Sequence, residues 1–410
     1  MKIRIDNKFT SRVLVLMTVL AAYYYILPSA SIFVNYALAL MGVFVMIALF
    51  TVLFDNNRIP KILVWFLFLI VFISLLYLLL TDTKSIDINV SNYGIKRFTS
   101  KLYQMIMMFF PVYLYGHVRK NCSIKEKKTI LIVTLGFVLF VILQTIREVA
   151  INPNITRIWL SLVESGQKNV AGYYFTFAMP FIIVLCASYF QQTKKIFVKV
   201  IMLAVSAFLL YFLLIAQYTL SILLAFIGVG IAIILNTTNR FRTLVILGVM
   251  VIILVVPIII KAVIPHIESQ QIASRLNELY LFLTAGDMST NNLGGRMELY
   301  QKSILAFLRS PIWGNRYLDF DGHATFLTIL SDLGLLGAIP YFYLYHRSKK
   351  IIDGYVGKEK FLPVYIVLVA GGLLNPINSA LPVMFVVWFV APLSIELIAH
   401  MEDPDEKVGN

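Results

Sequence analysis

Apolar runs of about 20 residues recur along the whole chain, the length that crosses a bilayer as a helix. The pattern predicts twelve spans, at about 12–28, 31–54, 61–80, 98–116, 129–149, 169–190, 196–215, 218–235, 243–263, 323–345, 361–374 and 379–399. One long polar interruption breaks it. Residues 264–322 hold Arg275, Arg296, Arg309 and Arg316, together with Glu268, Glu278, Asp287, Glu298, Asp319 and Asp321. Lipid accounts for most of the remaining sequence but not for this stretch. Within it, Ile272, Leu276, Leu279, Tyr280 and Leu283 share one helical face, and so do Met297, Tyr300, Ile304 and Leu308. Two amphipathic helices lying at the membrane surface are expected, joined by the turn-rich linker that runs from Asp287 through Gly295. Pro311 should end the second.

Charge placement orients the spans. If the N-terminus is cytoplasmic, 22 of the 35 Lys and Arg fall in cytoplasmic segments, and the short outer connections 29–30 and 375–378 carry no charge. That is the positive-inside pattern, with both termini cytoplasmic and 264–322 outside. The net charge of +14 therefore reads as orientation and contact with anionic lipid, not as a nucleic-acid footprint.

Composition agrees. The chain is 60% hydrophobic and 14% charged, where a soluble domain carries about 25% charged residues. Residues 1–410 read as one integral membrane domain. The basic stretch Met1–Arg12 leads into an apolar run with no small-residue cleavage site after it, so it reads as a retained first span. Cys122, in a basic loop, and Cys186, in an apolar run, suggest neither a disulfide nor a metal pair.

Nucleotide-binding glycine motifs and the His-Glu-x-x-His zinc motif are missing, which removes the main support for ATP-driven transport and metalloprotease chemistry. Asp319-Phe320-Asp321 looks like a nucleotide-sugar motif but lies on the outer side, where such donors are not found. With His323 it forms a two-carboxylate, one-imidazole set of a kind common by chance, and no metal site is expected. His323 begins His-Ala-Thr-Phe-Leu-Thr-Ile-Leu-Ser-Asp-Leu-Gly-Leu-Leu-Gly. It reads either as an interfacial histidine at a helix start, with Gly334 and Gly337 for close packing, or as a general base or phosphate contact. Arg296 follows Gly294-Gly295 near a helix start, where a cation opposes the helix dipole. Its guanidinium suits a pyrophosphate through paired hydrogen bonds, and Arg275 and Arg316 are candidates for the same pocket. Asp332 and Glu396 lie inside predicted spans. A carboxylate there is costly and reads first as functional, although Glu396 is near enough to an end to snorkel.

At these residues the chain resembles the O-antigen ligase / Wzy-type polymerase superfamily. Three stretches carry the resemblance: Gly295-Arg296 through Pro311-Ile-Trp-Gly314; His323 through Gly334-x-x-Gly337; and, more weakly, Lys168-Asn169-Val-Ala-Gly-Tyr173-Tyr174 at a span start. Two features depart from the ligase pattern. Ala324 stands where ligases have Asn, Ser or Gln, and Ile222 follows Thr219-Leu220-Ser221 where they have Arg. Both favour the polymerase branch.

The resemblance implies an all-α, GT-C-like membrane glycosyltransferase that needs no metal or other cofactor. Its donor would be a glycan on undecaprenyl pyrophosphate. His323 and Arg296 would be catalytic, with Arg275, Arg316, Asn169 and Glu298 binding pyrophosphate or glycan. A bacterial cytoplasmic membrane, a flippase and a chain-length regulator belong to the same implication. The alternatives are a ligase that uses lipid A–core as acceptor, and a transporter or flippase. Against the latter, the chain has no internal repeat.

Overall fold

In hydrocarbon every backbone N–H and C=O must be satisfied within the protein, so apolar runs fold as helices. The computed structural model describes residues 7–30, 36–54, 61–80, 90–152, 155–156, 169–236, parts of 255–284, 293–314, 324–377 and 380–402. Among these the regular elements are all helical. They are α1 (Asn7–Ile26), α2 (Tyr36–Leu53), α3 (Lys61–Leu80), α4 (Val90–Asn121), α5 (Ile124–Ile151), α6 (Tyr173–Thr176), α7 (Met179–Gln192), α8 (Ile196–Ala216), α9 (Thr219–Asn236) and the single 3-10 turn Ile264–His266. After these come α10 (Leu293–Arg309), α11 (Thr325–Val356), α12 (Lys358–Leu374), α13 (Leu381–Phe385), a π turn (Val386–Val390) and α14 (Ala391–Glu402).

The expected spans fall on helices except 323–345, which is broken at Gly334, and 243–263, which lies largely outside the described residues. So does the first of the two amphipathic helices. Among the described residues, six helices are long and apolar enough to cross a membrane: Lys8–Ile26, Ile124–Ile151, Tyr173–Gln192, Ile196–Ala216, Thr325–Val356 and Leu381–Met401. Leu38–Leu53, Leu63–Leu76 and Leu220–Leu235 are shorter apolar helices.

Local chemistry sets the helix ends. Ser123-x-x-Glu126 closes a capping box at the start of α5, the Ser123 hydroxyl and the Glu126 carboxylate each accepting from the other's backbone N–H. The tight connection between α8 and α9 is made by Gln217 in the left-handed region, at φ +58°.

The segment from α13 through the π turn to α14 forms the centre. Phe385, Trp388 and Phe389 have no exposed surface. Tyr25 of α1 stacks on Phe385, while Tyr345 of α11 and Phe361 of α12 pack on Trp388. At the rim, α8 exposes Ile196, Phe197, Leu203 and Leu214, an apolar surface suited to lipid. Gly228 of α9 permits close helix packing, because a Cβ there would fall 2.2 Å from Val184 and 2.9 Å from Val367.

The two ends of the bundle differ. One gathers the basic connections. There Ser11 donates to Glu126 at 2.8 Å, Lys195 reaches the Met401 carbonyl at 3.4 Å, and Lys127 pairs with Glu396 at 2.6 Å. Glu396 does not snorkel. Both partners of the Lys127 pair are buried, the second Glu396 oxygen accepts from the Tyr115 hydroxyl at 2.8 Å, and Lys127 also donates to the Arg119 carbonyl. At the opposite end, hydrogen bonds join Ser29 to Asn169, Tyr173 to Asn375, Tyr218 to Thr156 and Tyr300 to Leu374.

Helix α11 is not one straight rod. Gly334, at φ +56° and ψ −160°, breaks it. The Phe326 ring lies 5.4 Å from Phe342 and 5.8 Å from Tyr345. On a continuous helix, positions 326 and 342 would stand about 24 Å apart. Residues 325–333 therefore fold back antiparallel along the start of 335–356. This corrects the expected span at 323–345: its first part is a short returning helix, and residues 335–356 alone are long enough, at about 33 Å, to cross a bilayer.

The buried pair gives a test. Lys127→Met or Glu396→Gln alone should destabilise the protein by roughly 3–5 kcal/mol, since each leaves one buried charge unpaired. The Lys127→Met/Glu396→Leu double variant should recover much of that loss. Thermal unfolding of the purified protein in detergent measures all three. Single variants as stable as the parent would show that the pair contributes nothing.

Candidate functional site

Two segments carry the main sequence motifs, and both reach the same short turn. The first is α10. Its backbone is described from Leu293, while the side chain of Arg296 lies outside the described residues. One turn beyond Arg296, the Tyr300 hydroxyl donates to the Leu374 carbonyl at 2.9 Å. Ser303 and Ala306 face inward, and Ile304, Leu305 and Leu308 are exposed. Of the amphipathic face expected from sequence, Tyr300 is held against the protein and Ile304 and Leu308 are offered to lipid. Glu298 is exposed and pairs with Lys302 at 2.6 Å, one turn along. The hydrogen bond from Lys302, and then its charge, hold the Glu298 carboxyl below its ordinary range.

The second segment is the returning helix of α11. Its first residue, Thr325, donates from both its backbone N–H and its hydroxyl to the Asn375 carbonyl, each at 3.0 Å. Thr325 is two residues after His323 in sequence. Phe326 packs over Gly372, where a Cβ would fall 2.6 Å from the ring. The start of the returning helix thus lies about 12 Å along its axis from the turn at Gly334.

That turn is locked to the end of α10. The break leaves the N–H groups of Leu335 and Leu336 without partners in their own helix. They donate instead to the carbonyls of Pro311, at 2.8 Å, and Ile312, at 3.1 Å. Gly314, at φ +74°, lies against the backbone of Asp332: a Cβ on Gly314 would come 2.3 Å from that carbonyl oxygen. A Cβ on Gly334 would come 2.5 Å from the Gly314 nitrogen. Pro-x-x-Gly and Gly-x-x-Gly, separate in sequence, are two halves of one contact. Gly334 serves backbone conformation here, beyond the helix packing expected of it. Asp332 is buried beside the lock, with the Ser331 hydroxyl at 3.5 Å.

The third stretch joins them. The Asn169 side-chain oxygen accepts from the Ser29 N–H at 2.9 Å, and the Ala171 N–H donates to the Thr145 hydroxyl at 2.7 Å. The Tyr173 hydroxyl then donates to the Asn375 side-chain oxygen at 2.6 Å.

The structure therefore brings together Tyr173, four residues after Asn169, the Tyr300 turn of α10 and the start of the returning helix. His323, Arg275, Arg316, Asp319 and Asp321 lie outside the described residues. Asn375 was not singled out from sequence. Its signal was faint: an asparagine ending a short apolar helix, before Pro376, in an outer connection with no charge. It is 1% exposed.

The family model described as O-antigen ligase matches residues 204–317, just over a quarter of the chain. The match supports the O-antigen ligase / Wzy superfamily for this protein. It spans α9, α10 and the Pro311–Gly314 turn, and stops short of His323 and Gly334. No curated protein matches the chain.

The lock predicts that Gly334→Ala and Gly314→Ala are each costly. A left-handed conformation alone costs a non-glycine residue about 1–2 kcal/mol, and the backbone contact adds to it. Gly354→Ala, in open space within α11, should be neutral or slightly stabilising. Melting temperatures of the three purified variants decide it; equal values would remove the lock.

Proposed function

We propose that the protein is a polymerase of oligosaccharide repeat units carried on undecaprenyl pyrophosphate, working at the extracytoplasmic side of a bacterial cytoplasmic membrane. The observation that carries the reading is the meeting of the Gly-Arg segment and the His segment on Leu374 and Asn375, seen with the family match over the first of them. The opposite end of the bundle gathers basic connections, which supports cytoplasmic placement of that end and both termini. About twelve spans and a GT-C-like architecture belong to the same proposal.

The chemistry fits the residue types. An acceptor hydroxyl on one lipid-linked unit attacks the anomeric carbon of the donor glycan. The bond from that carbon to the pyrophosphate oxygen breaks, and the lipid pyrophosphate leaves. Arg296, with Arg275 and Arg316, offsets the charge that develops on the leaving group. His323 takes the acceptor proton. Asn169 and Glu298 line the glycan side. The donor linkage is already activated, so no ATP is consumed and the mechanism calls for no metal.

A ligase is the second reading, favoured by the description of the matching family. Ala324 and Ile222 stand against it, as residues that differ from the ligase pattern. Lipid A–core as the sole productive acceptor would establish it.

Purified protein supplied with undecaprenyl-linked repeats should make long polymer. Arg296→Ala should abolish it at unchanged protein level, and Arg296→Lys should restore little, since a point charge lacks the guanidinium fork. His323→Ala should leave single repeats. His323→Gln retains hydrogen bonding but cannot act as a base at neutral pH, so near-normal polymer from it would reduce His323 to a positioning role. Full activity of Arg296→Ala would remove that residue from the site.

Orientation is tested separately. A cysteine at Ser289 should react with an impermeant maleimide in intact cells or spheroplasts. Reaction only after membrane rupture would reverse the topology.

A further inference from the structure

The geometry points to the Leu374–Asn375 turn as the positioning element of the site: the Tyr300 and Thr325 hydroxyls tie the segments that carry Arg296 and His323 to two adjacent backbone carbonyls, and the Tyr173 hydroxyl holds the Asn375 side chain. The inference rests on the functional reading above; it gives a role to Tyr300, Thr325 and Tyr173 within the three resembling stretches and adds Leu374 and Asn375, which lie outside them.

The argument is one of restraint. α10 and the returning helix are joined at one end by the Gly314–Gly334 lock. A single joint leaves two short helices free to splay at the other end, and that end is where the motif residues lie in sequence. The second joint is the turn. Tyr300 closes it from α10 on the Leu374 carbonyl, and Thr325 closes it from the returning helix on the Asn375 carbonyl. Tyr173 holds the Asn375 side chain from α6, and so ties in the stretch that begins at Asn169. Adjacent residues accept from both segments, so the spacing between the segments cannot change without breaking one of these bonds. Asn375 and Thr325 are almost wholly buried, so water is a poor substitute partner. A misplacement of about 1 Å in a catalytic constellation costs on the order of 100-fold in rate.

Isosteric deletions test it. Tyr300→Phe, Thr325→Val and Tyr173→Phe each remove one hydroxyl and keep the shape. On lipid-linked repeats, each should lower kcat about 10-fold or more with KM changed less than about twofold, because substrate binding is not what they serve. Thr325→Ser keeps the hydroxyl and should retain the parent kcat. Tyr211→Phe, at an exposed position on α8, is the control. An activity-independent measurement runs beside the kinetics. Spin labels at Gln301→Cys and Leu327→Cys, with Cys122 and Cys186 replaced by Ser and Ala, should give a narrow distance distribution that broadens in Thr325→Val and Tyr300→Phe.

Unchanged distances together with unchanged kcat in all three deletions would overturn the inference. So would a Thr325→Ser variant as impaired as Thr325→Val. If the parent makes no polymer, the functional reading fails alone, and the distance distributions still decide whether the turn sets the spacing.

Discussion

Two backbone hydrogen bonds organise the end of the molecule that carries the motifs. A chain in hydrocarbon cannot leave N–H groups unpaired, yet the break at Gly334 frees those of Leu335 and Leu336. The carbonyls of Pro311 and Ile312 satisfy them. Because the donors sit in a spanning helix and the acceptors at the end of a polar loop, the loop becomes part of the bundle. The reversal of 325–333, the contact between α10 and α11, and the return of both to the Leu374–Asn375 turn all follow from that exchange. Only glycine fits on both sides of it, since each Cβ would strike the other segment's backbone.

The amino-acid pattern revealed much of this fold and little of its geometry. Helix positions followed from apolar length, since a run such as Ile196–Ala216 has few other options in lipid. The Ser123-x-x-Glu126 capping box was not singled out from the sequence, although its spacing carries the signature. The reversal at Gly334 was not legible. An apolar returning helix and an apolar span have the same composition, and the glycine that separates them looks like any small packing residue. The motif pairs were visible as strings, but not the fact that Pro311–Gly314 and Gly334 touch. Asn375 escaped because a buried asparagine at a helix end has no periodic signature; only its partners, distant in sequence, reveal it.

The two ends of the bundle use polar groups differently. At the basic end, Lys127, Glu396 and Tyr115 satisfy one another in a closed set that joins α4, α5 and α14. Such a set specifies how helices pack and leaves little capacity for a ligand. At the opposite end the bonds are neutral: hydroxyls on backbone carbonyls at Tyr218, Tyr300 and Thr325, and side-chain amide oxygens that accept from the Tyr173 hydroxyl and the Ser29 N–H.

The π turn at Val386–Val390 bears on the closed set at the basic end. A π turn holds one residue more than the α-helix it interrupts, and each added residue turns everything after it by about 100°. The face that Ala391–Glu402 presents to its neighbours is therefore set by that extra residue. Glu396 meets Lys127 and Tyr115 only in this rotational phase. Removing a single valine from 386–390 would leave composition, length and hydropathy almost unchanged, yet it would swing the carboxylate a quarter-turn away from both partners. The central helix thus behaves as a dial whose setting is written in residue count, not residue type.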